Sequence, residues 1–355
     1  MPREGEQALL ARARTGDEDA FGVLIGPYTR ELHVHCYRML GSVHDAEDVL
    51  QEVLVRAWRH LASFDGHGSV RGWLYRIATN RCLTARSRAA AFPFPSPVLT
   101  PAHPPPNAPD VEVTALQPYP DEWLRELAGP GDPAASYELR ESVQLAFLTV
   151  IQLLPPRQRA VLLLRDVLGF SAPETARILE ASRASVNSAL QRARSTLEAD
   201  QASGRLRQAQ PPAPEAECAL ADRFTAAWHA CDIPALVSVL SEDCLLTMPP
   251  APLAYRGRDT IGAFFATVPA GGGLSEIRLV PTRANGQPAT AAYMRDGDTA
   301  QAYGIMVLTV HAGQIGEITG FADPELFPLF GLPKQAAWPP AGPGNPSGGT
   351  LGLRP

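Results

Sequence analysis

His33, His35 and Cys36 lie close enough in the sequence to raise the question of a metal site. On a helix, residues two apart point to opposite sides, so His33 and His35 cannot close on one ion, and zinc is not expected. Further along, His229, Asp243, Glu317 and Asp323 are the residue types of acid–base catalysis. No two of them have a spacing that pairs them for proton transfer, and each reads as a surface or capping residue. Neither a catalytic residue nor a cofactor is expected. The charged clusters are of another kind. In HDAEDVLQEVLVRAW, the side chains of Asp45, Glu47, Asp48, Gln51 and Glu52 make a polar, mostly acidic surface, which is either a solvated helix face or a partner surface. In SVRGWLYRIATNRCLTARSR, Arg71, Arg76, Arg81, Arg86 and Arg88 occur without an acid, and Trp73 and Tyr75 are interleaved among them. A basic helix with aromatics suits single-stranded nucleic acid, since arginines track phosphates and rings stack on unpaired bases. Trp73, Leu74 and Ile77 also have a packing role open to them, and opposite faces of one helix accommodate both.

These groups need elements to hold them. Ala46, Val49, Leu50, Val53, Leu54 and Ala57 recur at three- and four-residue spacing, an apolar stripe that predicts a helix under the acidic face. Ser42, three residues before Asp45, starts it in the manner of a capping box. Later, LPPRQRAVLLLRDVLGF predicts a helix ended by Gly169. Ser171-Ala-Pro-Glu174 is a capping box that opens a short helix to about Leu179, followed by a turn and a second helix from about Ser182 to Leu197. Two short helices and a tight turn, the second helix basic, make the helix-turn-helix pattern. Val186, Leu190, Ala193 and Leu197 face the core by spacing. That leaves Arg183, Ser185, Asn187, Ser188, Gln191, Arg192 and Arg194 for DNA, the early residues at base edges and the later arginines at phosphates. A helical hairpin that binds only protein is the alternative.

The 355 residues are too many for one typical core, and their 45% hydrophobic content excludes wholesale disorder. Composition divides the chain into a helical block at 15–90, a proline-rich linker at 91–135, a second helical block at 136–200, a mixed domain at 215–332 and a low-complexity tail at 333–355. The formal charge of −6 hides an asymmetry. Between Arg157 and Arg194 seven arginines face three acids, an excess of +4, whereas between Glu215 and Leu332 thirteen acids face six arginines, an excess of −7. Domains of opposite sign imply different partners. The five cysteines are odd in number and form no CxxC pair, which points to free buried thiols in a reducing compartment. With no apolar leader and no run of eighteen apolar residues, a cytoplasmic location and no membrane partner are expected.

In the mixed domain an amphipathic helix carries Leu220, Phe224, Ala227 and Trp228, a second helix lies at 235–240, and a third, at 259–268, carries Ile261, Phe264 and Phe265. Strand patterns occupy 244–248, 277–282, 289–294, 303–310 and 314–319, which predicts an α+β layout.

Several of these segments resemble a known family. Tyr37-Arg-Met-Leu-Gly-Ser42, Asp45-Ala-Glu-Asp-Val-Leu-Gln-Glu52, Ala57-Trp58 and Trp73-Leu-Tyr-Arg-Ile-Ala-Thr-Asn80 are similar to region two of extracytoplasmic-function sigma-70 factors. Leu154-Pro-Pro-Arg-Gln-Arg-Ala-Val161, Arg165-Asp-Val-Leu-Gly169 and Ser185-Val-Asn-Ser-Ala-Leu-Gln-Arg-Ala-Arg194 resemble region four. The 215–332 segment looks like a SnoaL-like α+β cone, on the strength of Leu-Thr-Met-Pro-Pro250, Tyr255-Arg-Gly-Arg-Asp259 and Ala-Asn-Gly-Gln-Pro288. Tyr-Pro-Asp-Glu-Trp-Leu124 and Phe-Pro-Leu-Phe-Gly-Leu-Pro333 resemble the subgroup carrying such a domain. The resemblance implies two all-α sigma domains before the cone, and as partners core RNA polymerase, through the β′ clamp helices and the β subunit, and promoter DNA. It assigns Asp45, Glu47, Asp48, Gln51 and Glu52 to the clamp helices. It assigns Arg71, Trp73, Arg76, Asn80 and Arg81 to the −10 element, and Arg183, Ser185, Asn187, Ser188, Gln191, Arg192 and Arg194 to the −35 element. The cone is expected to regulate activity in cis, with a small-molecule ligand as one means. A DNA-binding regulator with a working cyclase- or isomerase-like domain, or a ligand sensor, stays as the alternative.

Overall fold

A computed structural model of the chain describes residues 4–64, 69–88, 98–99, 116–128, 142–144, 151, 154–202, 214–249 and 251–338. They fall into two units, the first made of Met1–Phe94 and Arg125–Arg207 and the second of Pro95–Leu124 and Gln208–Pro355.

The first unit is helical. It begins with α1 (Glu4–Arg14), α2 (Glu18–Leu40), α3 (Val43–His60) and α4 (Val70–Arg88). The Asp17 and Ser42 side chains cap α2 and α3 by accepting from the Ala20 and Asp45 N–H groups, which would otherwise lack helical partners. Gly41, at φ 82°, ends α2 in the left-handed conformation that glycine adopts without strain. The apolar stripe of α3 is buried at Ala46, Val49, Leu50, Val53 and Ala57, and half-buried at Leu54. α5 (Asp121–Ala128) lies at the boundary of the two units.

After α5 come α6 (Pro156–Leu162), a wide π-type turn over Leu163–Val167, α7 (Ala172–Ile178) and α8 (Arg183–Ala202). Gly169 turns with φ 70° where the helical pattern was expected to stop. The capping box at α7 is complete, since Ser171 accepts from the Glu174 N–H and Glu174 accepts from the Ser171 N–H. Arg159, only 1% exposed, donates to the carbonyls of Ile151, Leu154 and Met39 at 2.7, 3.1 and 2.5 Å. A buried guanidinium is tolerated when its donors are satisfied in this way. The Met39 bond ties α6 to α2.

The second unit packs α9 (Pro214–His229), α10 (Ile233–Ser238) and α11 (Arg258–Thr267) on an eight-stranded sheet. Its strands are β1 (Val98–Leu99), β2 (Leu240–Met248), β3 (Ala251–Arg256), β4 (Ile277–Ala284), β5 (Gln287–Asp296), β6 (Thr299–His311), β7 (Gln314–Phe321) and β8 (Gln335–Ala337). The order is β1-β3-β2-β7-β6-β5-β4, with β8 added to β6; β1–β3 and β2–β7 are parallel and the rest antiparallel. Phe224, Trp228, Tyr255, Phe264 and Phe265 meet in successive ring contacts of 4.7–6.1 Å and fill the space between helices and sheet. This is the α+β layout read from the sequence, with β1, β3 and β8 added.

Two parts depart from the composition-based division. The proline-rich stretch at 91–135 was read as unpacked linker, yet Leu116, Gln117, Tyr119, Asp121 and Leu124 are buried in the second unit. The prolines there space apolar anchors that were discounted. Of that stretch, 91–97, 100–115 and 129–135 lie outside the described residues. The tail read as low-complexity from 333 nevertheless contributes β8, and the Trp338 N–H donates to the Asp298 carbonyl; residues 339–355 lie outside the described residues.

Candidate nucleic-acid and partner interfaces

Helix α3 buries its stripe and thereby presents Asp45, Glu47, Asp48, Gln51 and Glu52 to solvent, all exposed. Beyond them Val55, 48% exposed, and Arg56, Arg59 and His60 continue the same shallow groove, so the face runs from acidic through apolar to basic. Glu52 is also an ion-pair partner of Arg81 on α4. The acidic face and the basic helix therefore meet at this pair.

Helix α4 separates its aromatics. Tyr75 is fully buried, and burial raises its phenol pKa. Its ring packs edge-on against His35 at 5.0 Å. Trp73 is half-buried beside Phe64 at 5.3 Å, while Asn80 is half-buried and Arg76 exposed. Arg71 is held from behind by Glu31, whose two carboxylate oxygens accept from its Nε at 3.3 Å, and its guanidinium lies 4.9 Å from the Tyr75 ring centre. Burial raises the Glu31 pKa, although Arg71 opposes that shift. His33 and His35 are both buried in α2, and the His35 Nε2 lies 2.9 Å from the Thr79 hydroxyl. Among the described residues no three His, Cys, Asp or Glu side chains gather as metal ligands would. All five cysteines are free, but only Cys36, Cys82 and Cys244 are buried as expected; Cys218, on the polar side of α9, and Cys231, in the turn after it, are exposed.

In the helix-turn-helix, Val186, Ala189, Leu190 and Ala193 bury one side of α8. Arg183, Ser185, Asn187, Ser188, Gln191, Arg192 and Arg194 are all exposed on the other. Ser182 starts the helix by accepting from the Ser185 N–H at 3.1 Å. Arg192 makes none of the described ion pairs, whereas Arg194 is taken by Asp166.

The acid–base candidates of the second unit do not converge. The His229 Nε2 accepts from the Leu279 N–H at 3.1 Å and so caps the edge strand β4; burial, with the Arg278 charge, lowers its pKa. Asp243 is exposed and accepts from the Ser241 hydroxyl, and Asp323 caps the 3-10 turn Pro324–Phe330. Glu317 lies on β7 beside Thr319.

A further site was missed by sequence reasoning. The β4–β5 hairpin turns at Asn285-Gly286, with φ 56° and 72°, the type I′ geometry that this dipeptide favours. The two N–H groups of that turn are bound by the 116–124 segment: Asn285 donates to the Tyr119 carbonyl at 2.8 Å, and Gly286 donates to Asp121 Oδ1 at 2.6 Å. Arg283 donates to Asp121 Oδ2 at 3.1 Å, and the Tyr119 N–H donates to Asn285 Oδ1 at 2.8 Å. The Asn-Gly signal was visible; its use as a dock for residues 166 positions earlier was not.

Known proteins match this arrangement of two sigma-type helical blocks ahead of a cone. The Sigma-70 region 2 family matches residues 24–92, Sigma-70 region 4 matches 144–197, and the SnoaL-like domain matches 221–318. The ECF RNA polymerase sigma factor SigG of Mycobacterium tuberculosis is 43% identical over 325 residues, 91% of this chain and 86% of the relative. The chain belongs to the ECF sigma factor family. SigW of Bacillus subtilis, another ECF sigma factor, is 30% identical over 192 residues, 53% of this chain and 92% of the relative. In fold, the chain is similar to the crystal structure of Mycobacterium tuberculosis SigJ, with a TM-score of 0.54 and 24% identity over 86% of this chain and 96% of that one. The protein is thus a sigma factor that directs transcription initiation through core RNA polymerase and promoter DNA, with a SnoaL-like domain after its two sigma regions. None of its described helices is long and apolar enough to cross a membrane.

Proposed function

We propose that this sigma factor binds core polymerase through the exposed acidic face of α3, reads the −10 element with α4 and the −35 element with α8, and is controlled in cis by its SnoaL-like domain. The observation that carries the cis control is the course of the chain. Residues up to 94 and from 125 to 207 form one unit, yet the segment joining them passes through the other, fastened there by Tyr119 and Asp121. A change in the second unit that loosens the strap therefore lengthens the tether between the two sigma regions, and tether length sets their effective concentration for two promoter elements.

Among the described residues of the SnoaL-like domain the acid–base candidates do not converge, and a regulatory rather than an enzymatic role is proposed. Ligand sensing has one observation in its favour: Trp228 Nε1 and the Tyr255 hydroxyl are buried in the same aromatic cluster without a protein hydrogen-bond partner. Such orphaned donors cost about 1–3 kcal/mol each unless a polar acceptor meets them.

Run-off transcription with core polymerase tests the cis reading, comparing the full chain, a chain ended after residue 205, and the full chain with Asp121→Ala. Losing the Asp121 carboxylate strands the Gly286 N–H, a cost of about 1–3 kcal/mol to the strap, while Arg283 keeps the Gly286 carbonyl and Glu217. Both changes are expected to shift activity in the same direction at matched protein concentration. Equal activity of all three would reduce the domain to a passive appendage.

A further inference from the structure

Region 4 meets region 2 on the side of α4 to which the −10 element is assigned. Phe170, in the loop between the π-type turn and α7, is 5% exposed. Its ring lies 5.2 Å from that of Tyr75 at 65°. The Arg71 guanidinium, 4.8 Å from the Phe170 ring centre, sits over both rings. Five residues along α4 from Arg71, the exposed Arg76 reaches the turn before α8, where its Nη2 pairs with Glu180 Oε1 at 2.7 Å. Glu180 holds that position with φ 51°, a left-handed conformation rare for a non-glycine residue.

The chemistry of these contacts is that of a nucleic acid. An aromatic ring stacked on a guanidinium and edged by a tyrosine is the surrounding of an unstacked base, and a carboxylate on an exposed arginine is the surrounding of a backbone phosphate. We propose that in the free sigma factor the helix-turn-helix occupies α4 as a stand-in for DNA, Phe170 in the place of a flipped base and Glu180 in the place of a phosphate. Promoter DNA and region 4 then compete for Arg71 and Arg76, and region 4 leaves α4 before the −10 element is read. The contact is suited to displacement. The Arg76–Glu180 pair is more than half exposed on both sides, and such pairs are weak and screened by salt. The firmer hold is the Arg159 bond to the Met39 carbonyl, away from the mimicking groups. This inference rests on the assignment of α4 to the −10 element.

Two measurements on the full chain test it. The first is the affinity of the free protein for a labelled single-stranded DNA oligonucleotide of mixed sequence. Glu180→Gln is expected to raise it by up to about five-fold, the equivalent of one exposed ion pair, and Phe170→Ala with Glu180→Gln by more. Arg76→Ala is expected to lower it. If Arg76→Ala leaves affinity unchanged, the −10 assignment itself fails. If Arg76→Ala lowers affinity but Glu180→Gln and the double variant do not raise it, the assignment stands and the mimicry is overturned. The second measurement is the pulsed-EPR distance between spin labels at Val23 and Ser195, both exposed, in a Cys218→Ser, Cys231→Ser background. One narrow distance is expected for the free protein and a longer one with core polymerase and the oligonucleotide. An unchanged distance on binding would also overturn the proposal, and Glu180→Gln, a surface change, keeps both readouts independent of folding.

Discussion

Arg194, on the exposed side of α8, is gripped at both prongs by Asp166, with Nε to Oδ2 at 2.9 Å and Nη2 to Oδ1 at 2.7 Å. The carboxylate raises the pKa of an already permanent cation, and it also takes that cation out of play for DNA. Asp166→Asn should therefore free one phosphate contact. Binding to a −35 duplex should tighten by about 1 kcal/mol or less, as for an exposed pair, and the slope of log affinity against log salt should steepen by about 1. A salt titration by fluorescence anisotropy checks this, and an unchanged slope would mean that Arg194 stays with Asp166 in the complex.

Asn187 and Gln191 lie one turn apart on the same exposed side of α8, with Arg192 beside them. Amide side chains offer the donor–acceptor pair that reads a base edge, whereas an arginine without a protein partner serves a phosphate. Asn187→Ala or Gln191→Ala should cost about 1–3 kcal/mol on the preferred −35 sequence and relax the preference at one position. Arg192→Ala should weaken binding to every sequence alike. Identical loss profiles for all three across a panel of −35 variants would undo the division into reading and anchoring residues.

The acidic face of α3 leads to a different expectation for its two ends. Asp48 is exposed and carries no described ion pair, whereas Glu52 is shared with Arg81. Asp48→Arg should weaken binding to core polymerase by on the order of 2 kcal/mol, chiefly through loss of charge complementarity. Glu52→Arg should do the same and also place two like charges together, so it alone should lower the unfolding temperature. Titration of core polymerase and thermal melting of each variant separate the two effects; equal melting would show that the Arg81 pair contributes nothing to stability.

Much of this was legible because it rests on local rules. The stripe of α3, the Ser171–Glu174 capping box and the strand patterns of β4 to β7 each follow from spacing and capping chemistry within a dozen residues. The exposed sides of α3 and α8 were legible for the same reason, as remainders of a buried stripe. What was not legible depends on pairings distant in sequence. Arg159 reads as one more basic residue in a DNA-binding block, yet it is buried under three carbonyls, one of them 120 residues away. Tyr75 reads as a base-stacking aromatic, yet it lies in the core of the helical unit. Nothing in the proline-rich composition around Tyr119 foretold that this segment would bond a hairpin turn 166 residues later. Periodicity assigns a face to a residue; it does not say which distant segment covers that face.

The buried histidines of α2 predict how the helical unit responds to acid. Burial, assisted by the charge of Arg30, lowers the His33 pKa to about 4, and burial, assisted by Arg38 and Arg71, lowers that of His35 to about 3. The geometry agrees at His35, whose Nδ1 is buried without a partner and would gain a proton only at the cost of a charge in the core. In the unfolded chain both titrate near 6.5. Their folded pKa values are depressed, so the stability they contribute is complete above about pH 6.5 and is lost as pH falls toward the folded values. Between about pH 6 and 4 the unfolded chain binds up to two protons that the folded one refuses, a slope approaching about 2.7 kcal/mol per pH unit. His35→Gln keeps a polar group near Thr79 and removes one titration, so it should roughly halve that slope at some cost to stability near neutral pH. Urea unfolding followed by hydrogen exchange in α2 peptides, repeated across that pH range, measures the slope directly. The same steepness in the variant as in the natural chain would show that His35 is protonated in the folded state, and that burial does not hold it neutral.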